Sequence, residues 1–448
     1  MKLFPLFLSV IGTLLISACS TFEDVTFDKQ ANKQLTNLAS TKIDFSNEPA
    51  AMPLTNLLSI KEVDALIENA LTNNPNLQQT LLTLKKAREK VTVTSSAQWP
   101  SMSAGFSASN MENSSSSYST SLDVAWTADI WQQLANADQA EKANFSASVY
   151  AYQGAKDLLV AKVMQAYLNL VRLTQLTNIE DKRVSTYKKN GKVIIDRYRK
   201  GLILLNELDT AKSTTRSSQA NLVDYQTQYQ EALRNLALLT GVAKNQLSYQ
   251  TNFPDIIIPL EEIDASNIGR RPDLQQAYQN IISSQYLHKV AYKALLPSLT
   301  LSGSINSNNN NLHDALFGSS AWQLLGQISA PIFNAGKLTS EAEIAKLSAE
   351  QSYWAFQEEL LSAVNEVDNA IAQGNAISER LNLTQLALES AQRSEVTYTS
   401  RYRQGTVSLL DLLQIQQQTF SLQAQVTQLT YERLNNRITL GLALGLGV

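Results

Sequence analysis

Arg197-Tyr198-Arg199-Lys200-Gly201 returns 204 residues later as Arg401-Tyr402-Arg403-Gln404-Gly405. Each run closes a stretch of more than sixty residues without proline. Each ends on glycine, the residue best suited to reverse a chain at a helix C-terminus. Working outward, the same pairing recurs in the same order. Leu239-Thr240-Gly241 answers Ala443-Leu444-Gly445, Asp129-Ile130-Trp131 answers Pro331-Ile332-Phe333, and Trp99-Pro100-Ser101-Met102 answers Leu296-Pro297-Ser298-Leu299. Asn74-Pro75-Asn76-Leu77 answers Arg271-Pro272-Asp273-Leu274, with the prolines 197 apart. A period near 200 is far longer than that of solenoid repeats, so the chain is one structural unit written twice.

Both copies share a plan. A helix opens with proline in its first turn, at 75–97 and 272–295, where the missing N–H costs nothing. About thirty residues without helical period follow. Ser101–Asn110 and Tyr118–Ala128 flank a serine-rich turn, and Ser298–Leu301 and Gln323–Ile332 flank the Asn-rich loop 306–311. Period-two alternation around a polar turn predicts a β-hairpin in each copy, at about 99–131 and 297–333. Then come helices over 136–199 and 338–403. Ala155, Leu158, Leu159, Val163, Ala166, Tyr167, Leu170 and Val171 mark a stripe packed on one side. Each helix would be ~95 Å long at 1.5 Å per residue. Return helices follow at about 203–240 and 407–442. The domain plan is therefore a signal at 1–18, an N-terminal segment at 19–60, repeats at 61–241 and 267–448, and a linker at 242–266 carrying Pro254 and Pro259.

Composition fits few turns. The 448 residues include only 16 Gly and 10 Pro, and only 17% are charged, with a net charge of −3. Ser, Thr, Asn and Gln fill the gap. A nucleic-acid binder needs a cationic face, and none is present. One Cys and two His, His288 and His313, exclude a disulfide framework and most structural zinc sites. No metal, cofactor or catalytic constellation is expected, so the chain does not read as an enzyme.

Met1–Ala18 has the charge, apolar run and small residues of an export signal. The single cysteine follows at once in Ile16-Ser17-Ala18-Cys19-Ser20, which resembles a bacterial lipobox. Cys19 would then be acylated and become the N-terminus, and Ser20 would direct the chain to the outer membrane. Four hairpin strands cannot close a barrel alone, and a membrane tolerates no open sheet edge. An exported chain of this kind must therefore associate or pack these strands on something else, and three copies would supply twelve strands. Trp99, Tyr118, Trp126, Trp131, Trp322 and Phe333 cluster at the hairpins, as interfacial aromatics do around membrane barrels. Gln414, Gln416, Gln417, Gln418, Gln423, Gln425 and Gln428 suit either a water-filled passage or an ordinary solvent face.

The paired prolines, hairpins and Tyr-Arg-x-Gly endings resemble the outer-membrane factor (TolC-like) family, and Cys19 resembles its lipoprotein branch. The likeness spans nearly all of 19–448. It implies a mainly α chain with a transmembrane β-barrel: a homotrimer whose twelve-stranded barrel, four strands per chain, continues into a long periplasmic helical tunnel. It implies a passive exit duct for drugs or other small toxic molecules in a tripartite efflux system. The partners implied are a periplasmic adaptor (membrane-fusion) protein and an inner-membrane pump of resistance-nodulation-division type. The adaptor would dock on the helix tips: Gly201, Leu202, Ile203 and Leu204, and Gly405, Thr406, Val407 and Ser408. The same ends would form a periplasmic gate. Tyr402 would pair with Glu207, Asp411 would ring the pore, and Gln414 stands where much of the family has an acid. Val407 replaces an arginine found in some relatives, which Arg401 and Arg403 could offset. Removing the Asp411 carboxylate or the Tyr402 hydroxyl is expected to raise conductance. Two other readings stay open: the duct of a type I protein secretion system, and a non-conducting coiled-coil scaffold.

Overall fold

A computed structural model of the chain describes residues 26–39, 54–58, 61–112, 115–247, 249–255 and 265–447. Cys19 and the signal lie outside the described residues. The chain is mainly helical, with one small sheet. The elements run α1 (Phe27–Ala39), α2 (Lys61–Asn73), α3 (Pro75–Ser96), β1 (Ser101–Ser109), β2 (Ser117–Ala128), α4 (Gln133–Arg199), α5 (Leu205–Thr240), α6 (Pro272–Lys293), β3 (Ser298–Asn309), α7 (Leu312–Phe317), β4 (Ala321–Ser329), α8 (Lys337–Gln404) and α9 (Leu409–Ala443). The helices and the first hairpin sit where the sequence places them. The second hairpin differs: Asn306–Asn309 extends β3, and the connection to β4 contains the short helix α7. Asn311 accounts for that helix, because its side chain accepts the Asp314 N–H and caps the first turn.

Two compact units cut across the sequence repeats. Among the described residues, one lies within 26–36, 83–150 and 274–359, and the other within 37–82, 151–273 and 360–447. The first holds the sheet. Its four strands are antiparallel in the order β1-β2-β3-β4, so the two hairpins join through β2 and β3. In the same unit α1 packs by its buried Ala31 and Leu35, with Phe27 stacked on Tyr353 at 5.3 Å and Gln34 bonded to Gln357.

The second unit is built around an apolar core that includes Leu54, Leu57, Val63, Ile67, Tyr167, Leu170, Leu236 and Ile438. Its duplication is visible in single bonds. Asn74 accepts the N–H groups of Asn76 and Leu77, capping α3, and donates to the Leu239 carbonyl at 3.0 Å. Arg271, at the matching position, donates to the carbonyl of Ala443, the residue matching Leu239, at 3.2 Å. Its guanidinium is buried, which alone would lower its pKa. Asp273 and Glu366, the latter at 2.8 Å, outweigh the burial and raise it. Both repeats thus tie the start of the proline helix to the end of the return helix.

Candidate functional site

The sheet has two chemically distinct faces. Residues paired across an antiparallel ladder share a side of the sheet. The register pairs Leu122 with Ile305, Trp126 with Leu301, Val124 with Met102 and Ile305 with Trp322. Met102, Ala104, Phe106, Leu122, Val124, Trp126, Leu299, Leu301, Ile305, Trp322, Leu324 and Ile328 therefore share one face. The other face presents Ser103, Ser107, Ser119, Ser121, Asp123, Thr127, Thr300, Ser302, Ser304, Gln323 and Gln327, relieved only by small residues and Leu325. Strands buried in a protein core would not leave Met102, Phe106, Trp322, Leu324 and Ile328 exposed, as they are here. β1 and β4 have one neighbour each and form the sheet edges. Two of the aromatics are amphipathic in fact as well as in type. The Trp126 indole donates to the Gln98 carbonyl at 2.9 Å and that of Trp131 to the Pro297 carbonyl at 2.7 Å. No described helix is long and apolar enough to cross a membrane.

The helix tips lie in the other unit. At both, glycine adopts the left-handed conformation, Gly201 at φ 70° and Gly405 at φ 75°. At the first, Gly201 N–H bonds to Tyr198 and Leu202 N–H to Arg197. At the second, Gly405 N–H bonds to Tyr402 and Thr406 N–H to Arg401. This is the Schellman pattern, which satisfies the last helical carbonyls and turns the chain. A common cluster underlies the tips: Tyr187, Ile194, Leu208, Ala211, Tyr402, Leu409, Leu412 and Leu413, with Ile203 and Val407 packed against it.

The sequence-predicted gate residues fall into this geometry unevenly. Tyr402 is buried, and its closest charged partner is Arg197, whose guanidinium lies 4.5 Å above the ring and bonds to the Tyr402 carbonyl at 3.5 Å. Burial pushes the phenol pKa up, Arg197 pulls it back, and Glu207 adds a smaller upward push. Glu207 thus acts on Tyr402 through its charge, while Arg197 contacts the ring and the backbone carbonyl. Arg197 opens the first Arg-Tyr-Arg run, so the duplicated motif could have pointed to it. Asp411 is held by Ser408 in a reciprocal capping box. Its carboxylate accepts the Ser408 hydroxyl at 2.6 Å and N–H at 3.0 Å, while Asp411 N–H bonds back to Ser408 at 3.2 Å. Arg401, Arg403 and Gln414 are exposed.

The glutamines of α9 divide. Gln416 is buried and accepts from Asn190 at 2.8 Å, and Gln428 accepts from Arg172 at 3.0 Å. These two are packing residues. Asp411, Gln414, Gln418, Ser421 and Gln425 form an exposed stripe at helical spacing. Of the glutamines singled out in the sequence, Gln417 is exposed beside this stripe, which carries one carboxylate at its end. At the first tip Leu202, Leu204 and Leu205 are exposed.

Comparison with known proteins agrees with this geometry. The family model for outer membrane efflux proteins matches residues 66–242 and again 266–446. The chain is 26% identical over 397 residues to a cation efflux system protein, CusC, of Escherichia coli O157:H7, covering 86% of each. It is 25% identical to the probable outer membrane lipoprotein SilC of Salmonella typhimurium, again covering 86% of each. It is also 25% identical to the pyoverdine export outer membrane protein OpmQ of Pseudomonas aeruginosa, covering 86% of this chain and 85% of that one. In fold it superposes on the solved CusC structure with a TM-score of 0.80 at 24% identity, covering 91% and 97% of the two chains. The Campylobacter jejuni CmeC outer membrane channel gives 0.81 at 21% identity, covering 92% and 91%.

Proposed function

The chain belongs to the outer membrane efflux protein family, and from that premise we propose that it is the passive exit duct of a tripartite efflux system. The observation that carries this reading is the two-faced sheet with two open edges. In a bilayer every edge must be paired, so the sheet has to close with other copies. Two copies would give eight strands, whose interior side chains fill. Three give twelve, the smallest assembly of this chain that leaves a wet lumen. The apolar face then meets lipid, and the Ser, Thr and Gln face lines the passage.

The duct performs no chemistry. Its sparsely charged wall, with Asp123 on the sheet and Asp411 at the helix start, lets solutes pass without holding them. The names of its relatives, a cation efflux protein and a pyoverdine exporter, show how varied the cargo of such proteins is. A periplasmic adaptor docks on the exposed leucines of the first tip and on the second tip beside it in the same cluster. An inner-membrane pump supplies the energy. Acylation of Cys19 anchors the N-terminus, in keeping with the lipoprotein relative. Opening is an equilibrium shift toward whichever tip arrangement the partners bind more tightly. The gate consists of Tyr402 with Arg197 and Glu207, and of Asp411 near the axis.

Planar-bilayer recording of the purified chain tests this. Discrete, voltage-tolerant channels of one conductance class are expected. Asp411→Asn keeps an acceptor for the Ser408 cap but removes the charge. It is expected to raise conductance and weaken cation preference several-fold. Bilayers that stay silent over a wide range of protein concentration would overturn the duct. A channel indifferent to Asp411→Asn would remove Asp411 from the gate.

A further inference from the structure

The apolar face of the sheet carries a polar interruption near the end where β3 leads into α7. There Thr120 pairs with Ser307 and Tyr118 with Asn309. Helix α7 lies over this spot. The Ser307 hydroxyl and the Asn309 amide both donate to the Asp314 carbonyl, at 3.3 and 2.9 Å, and Gly318 N–H donates to the same oxygen at 3.0 Å. Ala315, 2% exposed, is the side chain turned inward, and Ser307 is buried with it. The Thr120 hydroxyl is buried there without a hydrogen-bond partner. These contacts decide the side. Ser307 and Asn309 lie in the register of Ile305, Leu122 and Trp322, so α7 is folded back onto the apolar face and away from the Ser/Thr/Gln face. A plug or lid over the passage would have had to bond to the opposite set.

α7 turns outward three large apolar side chains, Leu312, Leu316 and Phe317, the last 78% exposed, beside the exposed polar pair His313 and Asp314. The Phe317 ring packs against that of His313, at 5.5 Å between centroids. A loop helix in water gains nothing from displaying three large apolar side chains. One continuous with a lipid-facing surface buries them where Phe and Leu are favoured. We propose that α7 is an interfacial foot. It shields the polar Thr120–Ser307 row from hydrocarbon, and it seats Leu312, Leu316 and Phe317 among the acyl chains of the leaflet nearest the β3–β4 connection. The ligand is lipid hydrocarbon. This rests on the reading that the apolar face of the sheet meets lipid.

Site-directed spin labelling of the full chain in phosphatidylcholine–phosphatidylglycerol vesicles tests both layers separately. Nitroxides are placed by Phe317→Cys, by Leu324→Cys on the apolar face and by Ser103→Cys on the polar face. The wild-type chain, labelled in parallel, reads any signal from Cys19. At Phe317 and Leu324, oxygen is expected to relax the label several-fold more effectively than a water-soluble nickel chelate, with the order reversed at Ser103. If Leu324 reports lipid while Phe317 follows Ser103, or is shielded from both agents, the foot is overturned and the membrane sheet survives. If Leu324 itself reports water, the sheet reading fails and the foot with it.

Discussion

At the first helix tip Tyr198 is 39% exposed, and Leu202, Leu204 and Leu205 stand out into solvent. At the second tip, in register 204 residues on, Tyr402 is 8% exposed and the connection reads Thr406-Val407-Ser408-Leu409. Both tips use the same glycine turn and the same two backbone bonds. The difference begins at the next helix start. Leu204 is an N-cap with no side-chain bond, whereas Ser408 forms a full capping box with Asp411. One tip leaves apolar surface free, and the other has its tyrosine buried and its helix start tied down. Duplication fixed the backbone, and divergence then left one tip with exposed leucines and gave the other a buried tyrosine and a capped helix start.

The largest break in this symmetry should come from the tyrosines. Tyr402→Ala empties a ring site in the tip cluster and removes the ring beneath Arg197, whose bond to the carbonyl of residue 402 remains. By analogy with buried aromatic truncations it should cost roughly 3–5 kcal/mol locally. Tyr198→Ala removes a half-solvated ring and should stay within about 0.5 kcal/mol. Hydrogen exchange in the last turns of α4 and α8 reads each tip separately. Equal protection losses in the two variants would mean that burial does not distinguish the tips. In bilayers Tyr402→Ala should also raise conductance, while Tyr198→Ala should not.

The caps allow a gentler exchange. Ser408→Ala should destabilise the start of α9 by about 1 kcal/mol. Leu204→Ser creates Ser-x-x-Glu with Glu207, the sequence form of a capping box, and should firm the start of α5 by a similar or smaller amount. It also deletes exposed apolar surface, so adaptor binding should weaken even as the tip grows more stable. A Leu204→Ser chain that binds its adaptor as tightly as before would show that the leucines are not the adhesive. The opposite signs for stability and binding separate packing from recognition.

The backbone half of this comparison was legible in the sequence. Gly201 and Gly405, the proline pairs and the hairpin alternation all act through local geometry, which a one-dimensional pattern records directly. The two faces of the sheet were also legible, because period-two alternation is a face assignment. Side-chain partners were harder to read. Arg197 over Tyr402 joins residues 205 apart, and Gln416 is buried because Asn190 reaches it from another helix. Neither pairing has a periodicity. Gln416 also shows why composition misleads: a glutamine bonded to another helix and a glutamine facing water look alike in sequence. Helix α7 was missed because Asn306–Asn311 reads as loop, although Asn311 is in fact its cap.

The smallest expected effect lies along the second repeat, one helical stretch before its tip. Glu395 corresponds to Gly191 in the first repeat, where a side chain would meet only open space. Glu395 lines a groove of about 700 Å³ with Lys182, Lys189, Asp181 and Phe420. Burial raises its carboxyl pKa above the usual 4.5, only partly offset by a hydrogen bond from Thr419. The folded chain therefore holds this proton more tightly than the unfolded chain. The resulting stability is whole below about pH 4.5 and is lost as pH rises through the folded pKa. Glu395→Gln keeps the shape and abolishes the titration. Relative to that variant, the wild type should unfold at a lower temperature at pH 7 and close the gap as the pH falls to 4. A gap that is constant across this range would mean that Glu395 keeps its solvent and that Lys182 and Lys189 already neutralise it. The corresponding change in the first repeat, Gly191→Gln, adds a side chain into open space and removes a helix-breaking glycine. It should stabilise slightly and with no dependence on pH, because there the first repeat has no carboxyl to titrate.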